Sequence, residues 1–300
     1  MSTPGKGKAS APALPNALPG IQVDVTSRMG ALTPATPTGL QLLDRVLSGG
    51  LRAGTMMTIA GAPGSGRTAF SLLLSYMAAR ARAAVVFTSV ALDETEVMAR
   101  LAARALHREH PDSKTPYGAI WSGQAWQDDA TRRPVGAAVE TAVKKVGALL
   151  HLYRAEPFAS TAQLADCAAH LWTRHDRVIL VVDDIEAFSA GLDGNRASAA
   201  NSSFQNRIAE VAFELRRICD QGCAVVATVL DRNAELVSPA VTLAAELVTR
   251  ESTAAAMPER LLALGARPVD LVITKNRLGA TGIVPLRFVP GAATFEERAP

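Results

Sequence analysis

One short stretch, Gly61-Ala62-Pro63-Gly64-Ser65-Gly66-Arg67-Thr68, constrains what this chain can fold into more than any other. It follows the apolar run Met56 to Ala60 and leads into a segment of helical spacing. A strand that turns through glycines into a helix gathers backbone N–H groups around one point. The positive end of the helix adds its field there, and the result is a receptacle for phosphate. The spacing is that of a nucleotide-binding P-loop, G-x-x-x-x-G-[K]-T, with Arg67 in place of the lysine. The eight residues Gly61 to Thr68 are therefore the expected nucleotide contacts, with ATP and Mg2+ as ligands and the Thr68 hydroxyl as a magnesium ligand. Arg67 keeps the positive charge but exchanges a compact ammonium for a bulkier planar fork, which favours retention of binding over hydrolysis.

Around the loop, short apolar runs alternate with helical patterns, the mark of an α/β fold with a mostly parallel central sheet and helices on both faces. Leu40, Leu43, Val46 and Leu47 predict a helix stopped by Ser48-Gly49-Gly50. Strands are expected at Met56 to Ala60, Ala84 to Thr88, Leu150 to Tyr153, Val178 to Val182, Ala224 to Leu230, Leu271 to Lys275 and Ile283 to Phe288. Asp93-x-x-Glu96 and Ser160-x-x-Gln163 announce two helices by capping boxes. A further helix over Asn206 to Asp220 ends at Gly222. The wholly apolar run Val178 to Val182 is expected at the centre of the sheet. From about His107 to Gly147, Pro111, Pro116 and Pro134 interrupt the pattern, and only the amphipathic stretch Val135 to Val146 is legible. Residues 1–37, rich in Pro, Ala, Ser, Thr and Gly, read as a flexible tail or linker, leaving residues 38–300 as one nucleotide-binding domain.

Composition bounds the rest. With 300 residues, 48% of them hydrophobic and 20% charged, the chain can bury one substantial core. A formal charge of +3 permits contact with nucleic acid without demanding it. Cys167, Cys219 and Cys223 form no CxxC pair, which speaks against a zinc site and for a reducing, cytoplasmic setting. No run is long enough to span a membrane and no signal peptide is legible, so no membrane contact is expected.

Asp183 closes an apolar strand, where a carboxylate can reach magnesium through water, as in a Walker B motif. Asp184 follows it, and reads equally as a solvated cap or as a catalytic carboxylate.

These motifs carry a resemblance. The run from Thr38-Gly39-Leu40 through Leu43-Asp44, Leu47-Ser48-Gly49-Gly50-Leu51 and Gly54, then the loop, Asp183, and Lys275-Asn276-Arg277-x-Gly279-Ala280-Thr281-Gly282 is similar to the C-terminal motor domain of DnaB-type replicative helicases. The similarity spans about Thr38 to Phe288 and implies a RecA-like P-loop NTPase core. It also implies a homo-oligomer, usually a hexameric ring, with ATP between subunits and with Lys275 and Arg277 reaching the neighbour's site as catalytic cations. A helical filament uses the same type of contact.

The chain departs from the family pattern at three polar positions. Arg67 replaces the lysine, Ala91 stands where a glutamate polarises the attacking water, and Val229 stands where a glutamine senses the γ-phosphate. Asp184 is then the remaining candidate base. The loops that hold single-stranded DNA in the family correspond to about Ser189 to Ser203 and about Asp231 to Thr242, and neither is net basic. Phe188, Phe204 and Phe213 read as packing residues ahead of base-stacking ones. The sequence thus favours an ATP-binding protein that self-assembles through nucleotide-bridged interfaces and hydrolyses weakly or not at all. The alternatives are an active single-stranded-DNA translocase and a nucleotide-independent filament-forming protein. A protein partner is left open.

Overall fold

The computed structural model describes residues 34–191, 203–250 and 257–298; the tail expected over residues 1–37 falls, up to residue 33, outside the described residues. Thr36 exchanges backbone hydrogen bonds with Leu51, so pairing begins two residues ahead of Thr38. In chain order follow α1 (Gln41–Val46), β1 (Met56–Gly61), α2 (Arg67–Arg80), β2 (Ala84–Ser89), α3 (Glu94–Glu109), α4 (Tyr117–Trp121), α5 (Asp129–Val146) and β3 (Leu150–Arg154). The second half holds α6 (Thr161–Trp172), β4 (Val178–Asp183), α7 (Phe204–Asp220), β5 (Ala224–Leu230), α8 (Ala234–Val237) and β6 (Leu243–Thr249). It closes with α9 (Glu259–Ala263), β7 (Arg267–Asn276), β8 (Gly282–Val289) and β9 (Thr294–Glu297).

The strands form one sheet in the order β3-β2-β4-β5-β1-β6-β7-β8-β9. From β3 to β6 all neighbours are parallel, and β7, β8 and β9 extend the sheet as an antiparallel meander. β4 is therefore interior to the parallel section, but β1 occupies the middle of the whole sheet, because β6 to β9 are added on its far side.

Period-two alternation splits each parallel strand between two cores. Met57, Ile59, Val85, Phe87, Ile179, Val181 and Val226 face α2, α3 and α5. Met56, Ala60, Val86, Leu180, Val182, Val225, Ala227 and Val229 face α6 and α7. This parity decides which residue at a strand end can reach the site.

The local signals act as expected. Asp93 accepts the N–H of Glu96 at 2.7 Å, although Glu96 pairs with Arg100 at 2.7 Å instead of completing the box. Ser160 and Gln163 cap α6 reciprocally. α5 starts at Asp129, six residues ahead of the legible stretch, and contains Pro134. As the sixth residue of α5 this proline lies in the second turn, where its missing N–H forgoes the bond to the Ala130 carbonyl. The three cysteines are free thiols, no metal cluster occurs among the described residues, and no described helix is long and apolar enough to cross a membrane.

Candidate functional site

The parallel topology brings the carboxyl ends of β1, β2, β4 and β5 to one edge, where ligands of open α/β sheets bind. β1 runs into the phosphate loop there. Gly66 opens α2 in a left-handed conformation, φ 97°, and a Cβ at that position would lie 2.8 Å from Phe295 Cζ and 2.9 Å from Phe288. The two rings stack with centroids 4.5 Å apart, and Phe70 meets Phe295 edge-on at 5.1 Å. The loop therefore rests on a rigid aromatic platform made by α2, β8 and β9.

Arg67 turns its guanidinium back onto the loop and donates through Nη1 to the Gly61 carbonyl. Among the described residues, its Nε and the Ser65 hydroxyl are buried without a hydrogen-bond partner. Orphaned donors at a phosphate cradle fit an anionic ligand that supplies the missing acceptors.

Asp183 ends β4 on the same face as α2. Thr68 Oγ1 donates to its two carboxylate oxygens at 3.1 and 3.0 Å, and Thr228 Oγ1 donates to Oδ1 at 2.8 Å. A hydroxyl and a carboxylate in contact beside a phosphate loop form a donor set suited to a hydrated magnesium ion. Thr228 reaches Asp183 because residues 226 and 228 share the α2 face. Burial pushes the Asp183 carboxyl above the usual carboxylate range, against the two hydroxyl donors that lower it.

Asp184 is pushed up to about 7, first by burial and then by the negative charges of Glu186 and Asp183. Glu186 is itself held as a structural acceptor, taking the N–H of Leu230 at 2.7 Å and the amide of Asn233 at 3.0 Å. An acid whose pKa is raised on folding stabilises the fold most at low pH, where the folded state keeps a proton that the unfolded chain releases. That stability is lost as pH climbs through the folded value. The nucleotide-free protein should accordingly melt at lower temperature as pH rises from about 5 to about 8, and Asp184→Asn should flatten that slope. Thermal melts of the two proteins across the range check this; equal slopes would refute it.

Lys275 and Arg277 lie at the other edge of the sheet. Met57 to Gly61 runs beside Leu243 to Leu247, and Leu243 pairs with Asn276. The turn is thus at the amino end of β1, a strand length of about 13 Å or more from the loop at its carboxyl end. Lys275 Nζ donates to the Ser238 carbonyl, and Arg277 Nη2 to that of Pro239 at 3.5 Å. Burial, then the Arg277 charge, lowers the Lys275 pKa. Neither residue can serve the phosphate loop of its own chain. β7 instead brings its first residue, Arg267, to the loop.

The sequence profile of the DnaB-like helicase C-terminal domain matches residues 35–297. The chain belongs to this family. Two solved structures share the fold. One is described as an ATPase domain, with TM-score 0.73 and 16% identity over 95% of this chain and 100% of that one. The other is a DnaB-like replicative helicase described with its interactions with primase, with TM-score 0.72 and 17% identity over 94% of this chain and 67% of that one. No curated protein sequence matches.

The departures from the DnaB-like pattern have clear positions. The register sets Ser89 beside Asp183, and Ala91 is exposed two residues beyond the end of β2. Val229 is wholly buried in the core on the α7 side, the face away from Asp183. Arg100 and Tyr117 line the cleft before the loop, which no motif foretold. Of the DNA-loop positions, 192–202, with Asp193 and Arg196, lie outside the described residues. Asp231 to Thr242 forms a short turn and α8, with Arg232 set against Asp231 and Glu235. Phe188 is core, as expected, whereas Phe204 and Phe213 are exposed on α7 rather than packed.

Proposed function

We propose that this chain is a DnaB-like, RecA-fold protein that binds ATP with magnesium between assembled copies of itself and turns it over weakly or not at all. The observation that carries the reading is the unequal state of the site. The phosphate loop and the Thr68–Asp183 pair are in place, while positions 91 and 229 offer an alanine and a core valine. Gly61 to Thr68 would hold the phosphates, and Thr68 and Asp183 the magnesium ion, which would neutralise charge on the phosphate oxygens. Lys275 and Arg277 would meet the phosphates of a neighbouring copy, since they lie beyond reach of their own. Repetition of that head-to-tail contact makes a ring if it closes and a filament if it does not.

Two measurements test this. Magnesium–ATP at a hundred times its Kd should stabilise the fold by about 2.7 kcal/mol, readable as a raised Tm. Light scattering with nucleotide should show an oligomer that Lys275→Ala, Arg277→Ala disperses. No Tm shift at millimolar nucleotide would leave the nucleotide-independent reading standing. Rapid turnover stimulated by single-stranded DNA would establish the translocase reading in its place.

A further inference from the structure

We propose that Arg267 is a second phosphate-binding cation of this site, supplied by the same chain and acting beside Arg67; this rests on the nucleotide-binding reading above. Arg67, in the lysine position, is turned back onto the Gly61 carbonyl. Arg267, at the first position of β7, donates through Nη2 to the carbonyl of Gly64 in the loop. Its guanidinium lies over the Phe288 ring, 4.9 Å from the centroid, and Phe288 belongs to the platform beneath Gly66. Cation and phosphate loop are thus positioned by one rigid group.

The hydrogen bonding of Arg267 is incomplete. Among the described residues, Nε is buried without a partner and the side chain forms no ion pair. A peptide carbonyl carries no formal charge, whereas a phosphate oxygen would meet the guanidinium as an ion pair with hydrogen bonds. Because Gly64 belongs to the cradle, the exchange from carbonyl to phosphate needs only a small movement. Arg267 also lines a cleft of about 320 Å³ with Gly64, Gly66, Arg67, Thr68 and Arg100. Arg100 is less suited, since its charge already pairs with Glu96 at 2.7 Å.

The test is the affinity of the full chain for magnesium–ATP and magnesium–ADP, by calorimetry, in the wild type, Arg267→Gln and Arg267→Lys. Glutamine keeps amide donors for a carbonyl and loses the charge; lysine keeps the charge. Arg267→Gln should weaken both nucleotides by about tenfold, the effect of one charge-assisted bond, while Arg267→Lys stays within about threefold of wild type. The melting temperature without nucleotide should be the same in all three. Wild-type affinity in Arg267→Gln overturns the proposal. So does equal weakening in both variants with a fall in Tm, which would make Arg267 only a prop for the loop. If the wild type itself binds no nucleotide, the underlying reading fails instead.

Discussion

The double variant Arg67→Lys, Ala91→Glu should release phosphate from ATP at least about a hundred times faster than the wild type, since a positioned general base alone contributes two to four orders of magnitude. The geometry permits the gain. Residue 91 stands two positions beyond Ser89, which the register places beside Asp183, and it is exposed, so a glutamate there needs no repacking. Lysine at 67 restores a slim ammonium that need not fold back on Gly61. Val229 is left alone, because it is buried in the core opposite Asp183 and a glutamine there would bury an amide among apolar side chains. Steady-state phosphate release, with and without single-stranded DNA, decides the matter. A double variant that binds ATP as well as before yet gains nothing would overturn Arg67 and Ala91 as the residues that limit turnover.

Gly66→Ala should lower stability by about 2–5 kcal/mol and abolish nucleotide binding. Left-handed backbone costs an alanine about 1–2 kcal/mol, and overpacking against fixed rings adds about 1–3 kcal/mol. Gly54 supplies the control, for its φ is 76° and a Cβ there meets nothing within 4 Å. Gly54→Ala should therefore show the backbone cost alone. Matching melting temperatures for the two variants would mean that the Phe288–Phe295 platform yields, and that the loop does not depend on it.

What could be read in advance was what local chemistry determines. The phosphate loop, the caps at Asp93 and Ser160, the stop at Gly222 and the apolar strands around Asp183 each rest on a few consecutive residues. β6 was missed because Leu243-Ala-Ala-Glu-Leu is made of good helix formers, and only pairing with β1 and β7 holds it extended. β9 is four residues long and exists because β8 offers it an edge. The site shows the same division. Gly61 to Thr68 and Asp183 announce themselves by motif. Thr228 is selected by strand parity, and Arg267 by an antiparallel return that brings it to Gly64.

The aromatic support of the phosphate loop has a consequence for synthesis. Gly66 leaves the ribosome long before Phe288 and Phe295, the rings on which it rests. A nascent chain can pair β1 with β5 well before those rings emerge, but its loop has no floor until they do. Nucleotide capture is therefore expected only of a chain translated at least through residue 295, and fragments stalled short of that point would compete poorly for ATP.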